Sequence, residues 1–275
     1  MGEVIMPKKI IPLSILLLAL LGLLMTPMVR AKDFDHNAWD ILLKAHVLSK
    51  GQGKVTVVGY QGMAADRDKL KDYLDDLSSV SFQRFDRWSK DEQLAFLINA
   101  YNAWTVELIL SAWPDLDSIK DLGGLFSSPW RKDFIPLLKE IRSLDNIEHG
   151  LIRGSGRYND PRIHFAVNCA SIGCPALRDE AYVAERLDRQ LDQQTRLFLS
   201  DQSRNYVEDN TVMLSSLFKW YREDFTKGWL GSSRLEDFLL AYADSLGVDT
   251  TLAEKLRTGE AKIRFLPYDW KLNKK

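Results

Sequence analysis

Residues 89–110 read SKDEQLAFLINAYNAWTVELIL, and this stretch decides the fold. It begins with a capping box, in which Ser89 is followed three residues later by Glu92. The residues that follow are apolar around almost the whole helical circumference. The pattern therefore predicts a helix that is buried on all sides. Trp113-Pro114 ends it, because a residue before proline avoids helical geometry.

Helical spacing of apolar residues continues on both sides of this stretch. Further helices are predicted at 35–49, 66–77, 143–152, 179–199, 215–225 and 232–246. Strands are predicted at 55–60 and 162–169, with a hairpin over 206–214 that turns at Asp209-Asn210 and an extended segment over 261–272. The sequence therefore predicts an α+β fold, a mostly helical single domain with a small β-sheet.

Residues 1–31 have the order of a secretory signal peptide: Lys8 and Lys9, an apolar run over 10–25, and small residues at Val29 and Ala31. The apolar run is short for a membrane span, which needs about 20 residues. We expect cleavage after Ala31, which leaves residues 32–275 as one exported domain, periplasmic or extracellular, without a membrane span. The alternative is an uncleaved N-terminal membrane anchor, because Arg30 lies next to the cleavage site.

Charge and motifs exclude several classes of function. The net charge of the chain is −1, and residues 1–31 carry three basic side chains against one acidic one, so the remainder is near −3. Nucleic acid is therefore not expected as a partner, because phosphate binding needs a concentrated basic face. The sequence has no glycine-rich phosphate loop, nucleophile elbow or dinucleotide fingerprint, and no cofactor is predicted. The expected partner is a small-molecule or peptide ligand.

Polar residues within apolar stretches are the candidates for a site, because a buried polar group needs a partner. Asn99 and Asn102 lie on one face of the predicted central helix. They either hold the backbone of a neighbouring loop or line a polar pocket. His149 follows Glu148 in a helix, and these two side chains do not face each other directly. His164 shares a face of the predicted strand with Asn168.

The chain has two cysteines, Cys169 and Cys174, close to these histidines. One hypothesis is a thiolate nucleophile at Cys169 with His164 or His149 as its base and Asn99 as an orienting residue. The other is a Cys169–Cys174 disulfide, which persists in an oxidising compartment. A zinc site is the third option, although no metal-binding pair with the usual spacing is present.

Several motifs in this order closely resemble the family called domain of unknown function 547. They are Phe96–Ala103, Ser143–His149, Asp160–Ala166, Asn168–Ser171 with Cys174-Pro175, Leu214-Ser215, Phe218–Tyr221, Asp224-Phe225 and Tyr268–Asn273. The resemblance covers about residues 91–225 and the tail, and it implies an exported bacterial member. It carries no settled reaction. The order of a helix with a polar residue and then a strand with His is also similar to papain-like and transglutaminase-like folds, which is an analogy of fold only.

Two functional hypotheses follow. The first is a hydrolase or acyltransferase of the cell envelope that acts on an amide, peptide or thioester through Cys169 and a histidine. The second is a non-catalytic binding module with oxidised thiols. Its binding residues are drawn from Asn102, Glu148, Asn168 and Cys174, together with Asn99 and His164.

Overall fold

The computed structural model of the chain describes residues 1–3, 34–124 and 127–275. Asp33–Lys275 form one compact unit. The predicted signal peptide and its cleavage site fall almost wholly on residues 4–33, which lie outside the described residues. Within the described residues, no helix has the length and apolar character needed to cross a membrane.

Helices make up most of the described chain. The α-helices are α1 (Asn37–His46), α2 (Tyr60–Ala65), α3 (Arg67–Ser79), α4 (Phe82–Phe85), α5 (Lys90–Leu110), α6 (Leu187–Leu199), α7 (Leu217–Trp220), α8 (Leu235–Ala241), α9 (Ala243–Leu246) and α10 (Thr250–Thr258). A π-helix spans Asn146–Arg153. Short 3-10 helices lie at Gly51–Gly53, Ile119–Leu122, Pro129–Arg131, Pro161–Phe165, Ala184–Arg186, Arg222–Thr226 and Trp229–Gly231.

Strands form three small sheets in the described residues, where the sequence predicted one. β1 (Val47–Lys50) pairs antiparallel with β2 (Val55–Val58), and β3 (Ile135–Leu137) pairs antiparallel with β4 (Glu140–Arg142). β5 (Tyr206–Glu208) pairs antiparallel with β6 (Thr211–Ser215), which pairs in parallel with β7 (Lys262–Leu266). The domain is a mostly helical α+β domain, as predicted.

Helix α5 has the features that its sequence predicts. Ser89 Oγ accepts the backbone N–H of Glu92, and the Glu92 carboxylate accepts the backbone N–H of Ser89. Almost every residue of the helix is buried, including both asparagines. Asn99 bonds to both backbone groups of Tyr182, donating to the carbonyl at 2.8 Å and accepting the N–H at 3.0 Å. Asn102 donates to the carbonyl of Ala166 at 3.0 Å and accepts the N–H of Asn168 at 2.8 Å.

The strand predicted over 162–169 is wrong. Asp160 caps a 3-10 helix at Pro161–Phe165 by accepting the backbone N–H of Arg162 at 3.0 Å, and proline suits the first helical position. A short buried apolar run fits a strand and a helical turn equally well, so its periodicity does not separate them. The analogy with papain-like and transglutaminase-like folds thereby loses the His-bearing strand on which it rested.

This 3-10 helix lies where two apolar clusters meet. Ile163 belongs to the larger cluster, which surrounds α5. Phe165 belongs to a second cluster, which is built largely from α6, α8 and the segment that contains Phe225. His164 stands between these two residues and is therefore held from both sides.

The segment 268–275 connects parts of the chain that are distant in sequence. The backbone N–H of Leu272 donates to the carbonyl of Asp117 at 2.7 Å, and that of Asn273 donates to the carbonyl of Ala170 at 3.0 Å. The Asn273 carbonyl accepts the N–H of Val58 at 2.8 Å. One short segment thus joins β2, the loop after α5 and the turn at 168–175.

We predict that Asn99→Ala lowers the free energy of unfolding by about 2–4 kcal/mol, because both backbone groups of Tyr182 lose a buried partner and a small cavity remains. Denaturant unfolding followed by circular dichroism measures the change. Lys90→Ala, at an exposed position on the same helix, is the control and is expected to stay within about 0.5 kcal/mol of wild type. A similar small effect for Asn99→Ala would contradict the role assigned to this amide.

Candidate functional site

A cavity of about 280 Å³ lies where α5, the π-helix, the turn at 168–175, α7 and the segment 268–275 meet. Five of the residues predicted for a site line it: Glu148, His149, His164, Cys169 and Cys174. Asn99, Asn102 and Asn168 are not among the lining residues. Their side chains form hydrogen bonds with backbone groups, so these residues hold the segments around the cavity and do not line it.

His164 lines the cavity and is almost completely buried, with 1% of its surface exposed. Its Nε2 lies 2.8 Å from Oδ2 of Asp224, and its ring stacks on Tyr221 with the centroids 3.9 Å apart. Burial lowers the pKa of His164, and the bond to Asp224 offsets this only in part. The imidazole is therefore neutral at neutral pH, with its proton on Nε2 toward the carboxylate.

The remaining ring nitrogen, Nδ1 of His164, is buried and has no hydrogen-bond partner among the described residues. In this tautomer it carries a lone pair and no proton, so it can only accept a hydrogen bond or a proton. A buried acceptor without a partner is uncommon, because losing its bond to water costs free energy.

Asp224 is the group that orients His164, and sequence reasoning did not assign it to the site. It appeared only within the Asp224-Phe225 motif of the family resemblance. Besides His164, its carboxylate accepts bonds from Arg153 at 2.5 Å and Lys227 at 2.7 Å. Burial alone raises the pKa of the Asp224 carboxyl, but these three donors together hold it well below its usual range. Asp224 is therefore ionised at neutral pH.

Glu148 brings a second carboxylate to the cavity. The residue is 6% exposed, and its side chain interacts electrostatically with the phenols of Tyr101 and Tyr221. Burial followed by the charge of Glu148 raises the pKa of both phenols, so both remain protonated donors. His149 is the next residue, and its Nδ1 lies against a guanidinium nitrogen of Arg153, one turn further along the helix. His149 thus faces the charged network around Asp224 and the edge of the cavity.

Cys169 and Cys174 are joined by a disulfide. This is the second of the two states that the sequence left open. With both sulfurs in one bond, neither is available as the thiolate that the nucleophile hypothesis requires. The Tyr268 hydroxyl lies 3.2 Å from each sulfur, and the backbone N–H of Cys169 donates to Sγ of Cys174 at 2.9 Å.

Aromatic rings form much of the cavity wall. Trp220 is about half exposed, and its ring contacts those of Tyr268 and Trp270 with centroids 4.9 Å and 5.8 Å apart. Trp130 contacts Trp270 edge to face at 5.7 Å. The ammonium of Lys120 lies 3.7 Å from the centre of the Trp270 ring. The Trp270 ring in this wall therefore already binds one cation, the Lys120 ammonium, on its face.

No group of three or more His, Cys, Asp or Glu side chains within the described ranges is placed to hold a metal ion. The cationic groups around Asp224 account for this locally, because Arg153 and Lys227 occupy the oxygens that a cation would use.

The buried histidines make stability depend on pH. Burial lowers the pKa of His36 to about 3, and it lowers that of His164 as well. The unfolded chain takes up a proton on each residue as the pH falls below about 6.5, whereas the folded chain does not. We predict that the free energy of unfolding decreases between pH 7 and pH 5, by up to about 1.4 kcal/mol per pH unit for each histidine kept neutral.

Denaturant unfolding at both pH values tests this, with His164→Gln as the variant. Glutamine can place its amide nitrogen where Nε2 of His164 donates to Asp224, and it does not titrate. The variant should show a shallower pH dependence than wild type. An identical dependence would mean that His164 takes up its proton over the same pH range in the folded and the unfolded chain.

Comparison with known proteins agrees with the resemblance in the sequence. Residues 85–199 match the model of the family described as "Protein of unknown function, DUF547". The match contains the central helix, the Glu148-His149 segment, His164 and both cysteines, while Asp224 and the tail lie beyond it. A search of the curated proteins and a search of the solved structures give no significant match. Residues 85–199 are therefore assigned to the DUF547 family of proteins of unknown function.

Proposed function

We propose that the domain is a binding module and that its cavity receives a small molecule or peptide end that carries an amine. The observation that carries the proposal is Nδ1 of His164, a buried acceptor in the cavity lining that lacks a partner among the described residues. A ligand that donates a hydrogen bond there would satisfy it. The hydrolase or acyltransferase hypothesis ranks second, because it requires a Cys169 thiolate and the disulfide withholds one.

The groups around Nδ1 favour a cationic donor over a neutral one. The Glu148 carboxylate lines the same cavity and acts electrostatically on His164. An ammonium group has three donors and no acceptor, so it can serve the carboxylate and the imidazole together. The aromatic wall favours the same charge, because the face of an aromatic ring attracts cations. Lys120 on Trp270 is an example of that contact within the chain.

Binding of alanyl-alanine, compared with its N-acetylated form, tests the proposal. We expect tryptophan fluorescence to report saturable binding of the free amine. Binding of the acetylated peptide is expected to be at least about tenfold weaker, because acetylation removes the positive charge and two of the donors. Equal binding of the two peptides, or no binding of either, would overturn the proposal.

The variants for this experiment are Glu148→Gln and His164→Gln, which remove the charge and the acceptor and keep similar volumes. Each is expected to weaken binding of the free amine by about tenfold or more. Glu140→Gln, at an exposed position in β4, is the matched control and should bind as wild type does.

We further propose that the domain works outside the cytoplasm. The order of charged, apolar and small residues in 1–31 supports export, and a disulfide is stable in the oxidising compartments that exported proteins reach. We predict that protein purified from the periplasm begins at Lys32, as read by N-terminal sequencing. Recovery of the full-length chain in the membrane fraction would favour the uncleaved anchor instead.

A further inference from the structure

The two sulfurs of the Cys169–Cys174 disulfide are not equivalent. Both line the cavity, but Cys169 is partly exposed while Cys174 is 4% exposed. A thiolate that enters the cavity therefore reaches Cys169 more easily than Cys174. In thiol–disulfide exchange, the sulfur that is not attacked leaves as a thiolate, so Cys174 is the leaving group.

Two donors are placed to stabilise that leaving thiolate. The backbone N–H of Cys169 points at Sγ of Cys174 from 2.9 Å, and the Tyr268 hydroxyl lies 3.2 Å from it. Burial raises the pKa of Tyr268 to about 12, so its phenol keeps its proton at neutral pH and can donate. Hydrogen bonds to the charged form of an acid favour that form, which makes Cys174 a better leaving group.

The turn that carries the sulfurs is held without the disulfide. The backbone N–H groups of Ile172 and Gly173 donate to carbonyls of the tail at 2.8 Å each. The side chain of Asn168 donates to the carbonyl of Pro175 at 2.8 Å, and Arg204 donates to the carbonyl of Cys174. A disulfide across so short a loop adds little to a turn that is fixed in this way. Breaking the S–S bond therefore leaves both cysteines in place.

We propose that Cys169–Cys174 is an exchangeable disulfide that oxidises thiols admitted to the cavity. A ligand thiolate attacks Sγ of Cys169, a mixed disulfide forms, and the electron pair of the broken S–S bond passes to Sγ of Cys174. A second ligand thiolate attacks the ligand sulfur of the mixed disulfide and releases the Cys169 thiolate. Two thiols become one disulfide, the protein takes up two electrons, and the two thiol protons end on the cysteines.

This proposal goes beyond amine binding, since neither Glu148 nor His164 takes part in the exchange. The two proposals can therefore fail separately, because one is read from peptide binding and the other from the mass of the protein.

The reduced single-cysteine variants Cys174→Ser and Cys169→Ser form a matched pair. Each is incubated with oxidised glutathione under native conditions and followed by intact mass. We expect Cys174→Ser to take up one glutathione on Cys169, and to do so at least about tenfold faster than Cys169→Ser takes it up on the buried Cys174. Equal rates would overturn the assignment of Cys169 as the attacked sulfur.

A second measurement does not depend on how the cysteine variants fold. The wild-type disulfide should be reduced by dithiothreitol well below the melting temperature, with the circular dichroism spectrum unchanged. Tyr268→Phe should slow this reduction several-fold, because the leaving thiolate loses a donor, and should leave its pH profile unchanged, because that profile follows the ionisation of dithiothreitol. Tyr206→Phe, in β5, is the control and should behave as wild type. A disulfide that resists reduction until the domain melts would overturn the proposal.

Discussion

The side-chain amides of Asn99 and Asn102 fix the backbone on which the cavity is built. Helix α5 is buried on all sides, so it has no solvent-facing side, and its polar contacts must be made inside the protein. Asn99 forms hydrogen bonds with the backbone of Tyr182, and Asn102 forms them with the backbone of Ala166 and Asn168. Between the two asparagines, Tyr101 extends to Glu148. A single helical turn thus places the 3-10 helix, the cysteine turn and the second carboxylate.

Charge around the cavity is arranged in two separate units. Asp224 is saturated by Arg153, Lys227 and His164, so its negative charge is compensated where it stands. Glu148 instead interacts with the protonated phenols of Tyr101 and Tyr221, which do not neutralise its charge. The same residue type therefore has two roles. One carboxylate fixes the tautomer of His164, and the proposed preference of the cavity for cations rests on the other.

Local signals in the sequence were sufficient for the elements that local chemistry determines. The capping box at Ser89, the apolar helix behind it and the hairpin turn at Asp209-Asn210 are all present, and both turn residues have the positive φ angles that such hairpins need. The segment from Asp160 to Phe165 was predicted as a strand because its apolar run also fits one. In the structure, the Asp160 cap and the proline at the first position favour a 3-10 helix instead. Asp224 was missed because its partner His164 lies 60 residues earlier, beyond the range of any local pattern. The sequence indicated that Cys169 and Cys174 lie close together, but it did not decide between a disulfide and free thiols.

The hydrogen bonds of residues 268–275 have a consequence for biosynthesis. The ribosome makes these residues after every other segment that surrounds the cavity, yet they complete β2, the loop near Asp117 and the turn near Ala170. A nascent chain that stops short of Tyr268 lacks one wall of the cavity and the hydroxyl beside both sulfurs. The cavity therefore cannot close until these residues have been made, so it is completed only after every other segment around it.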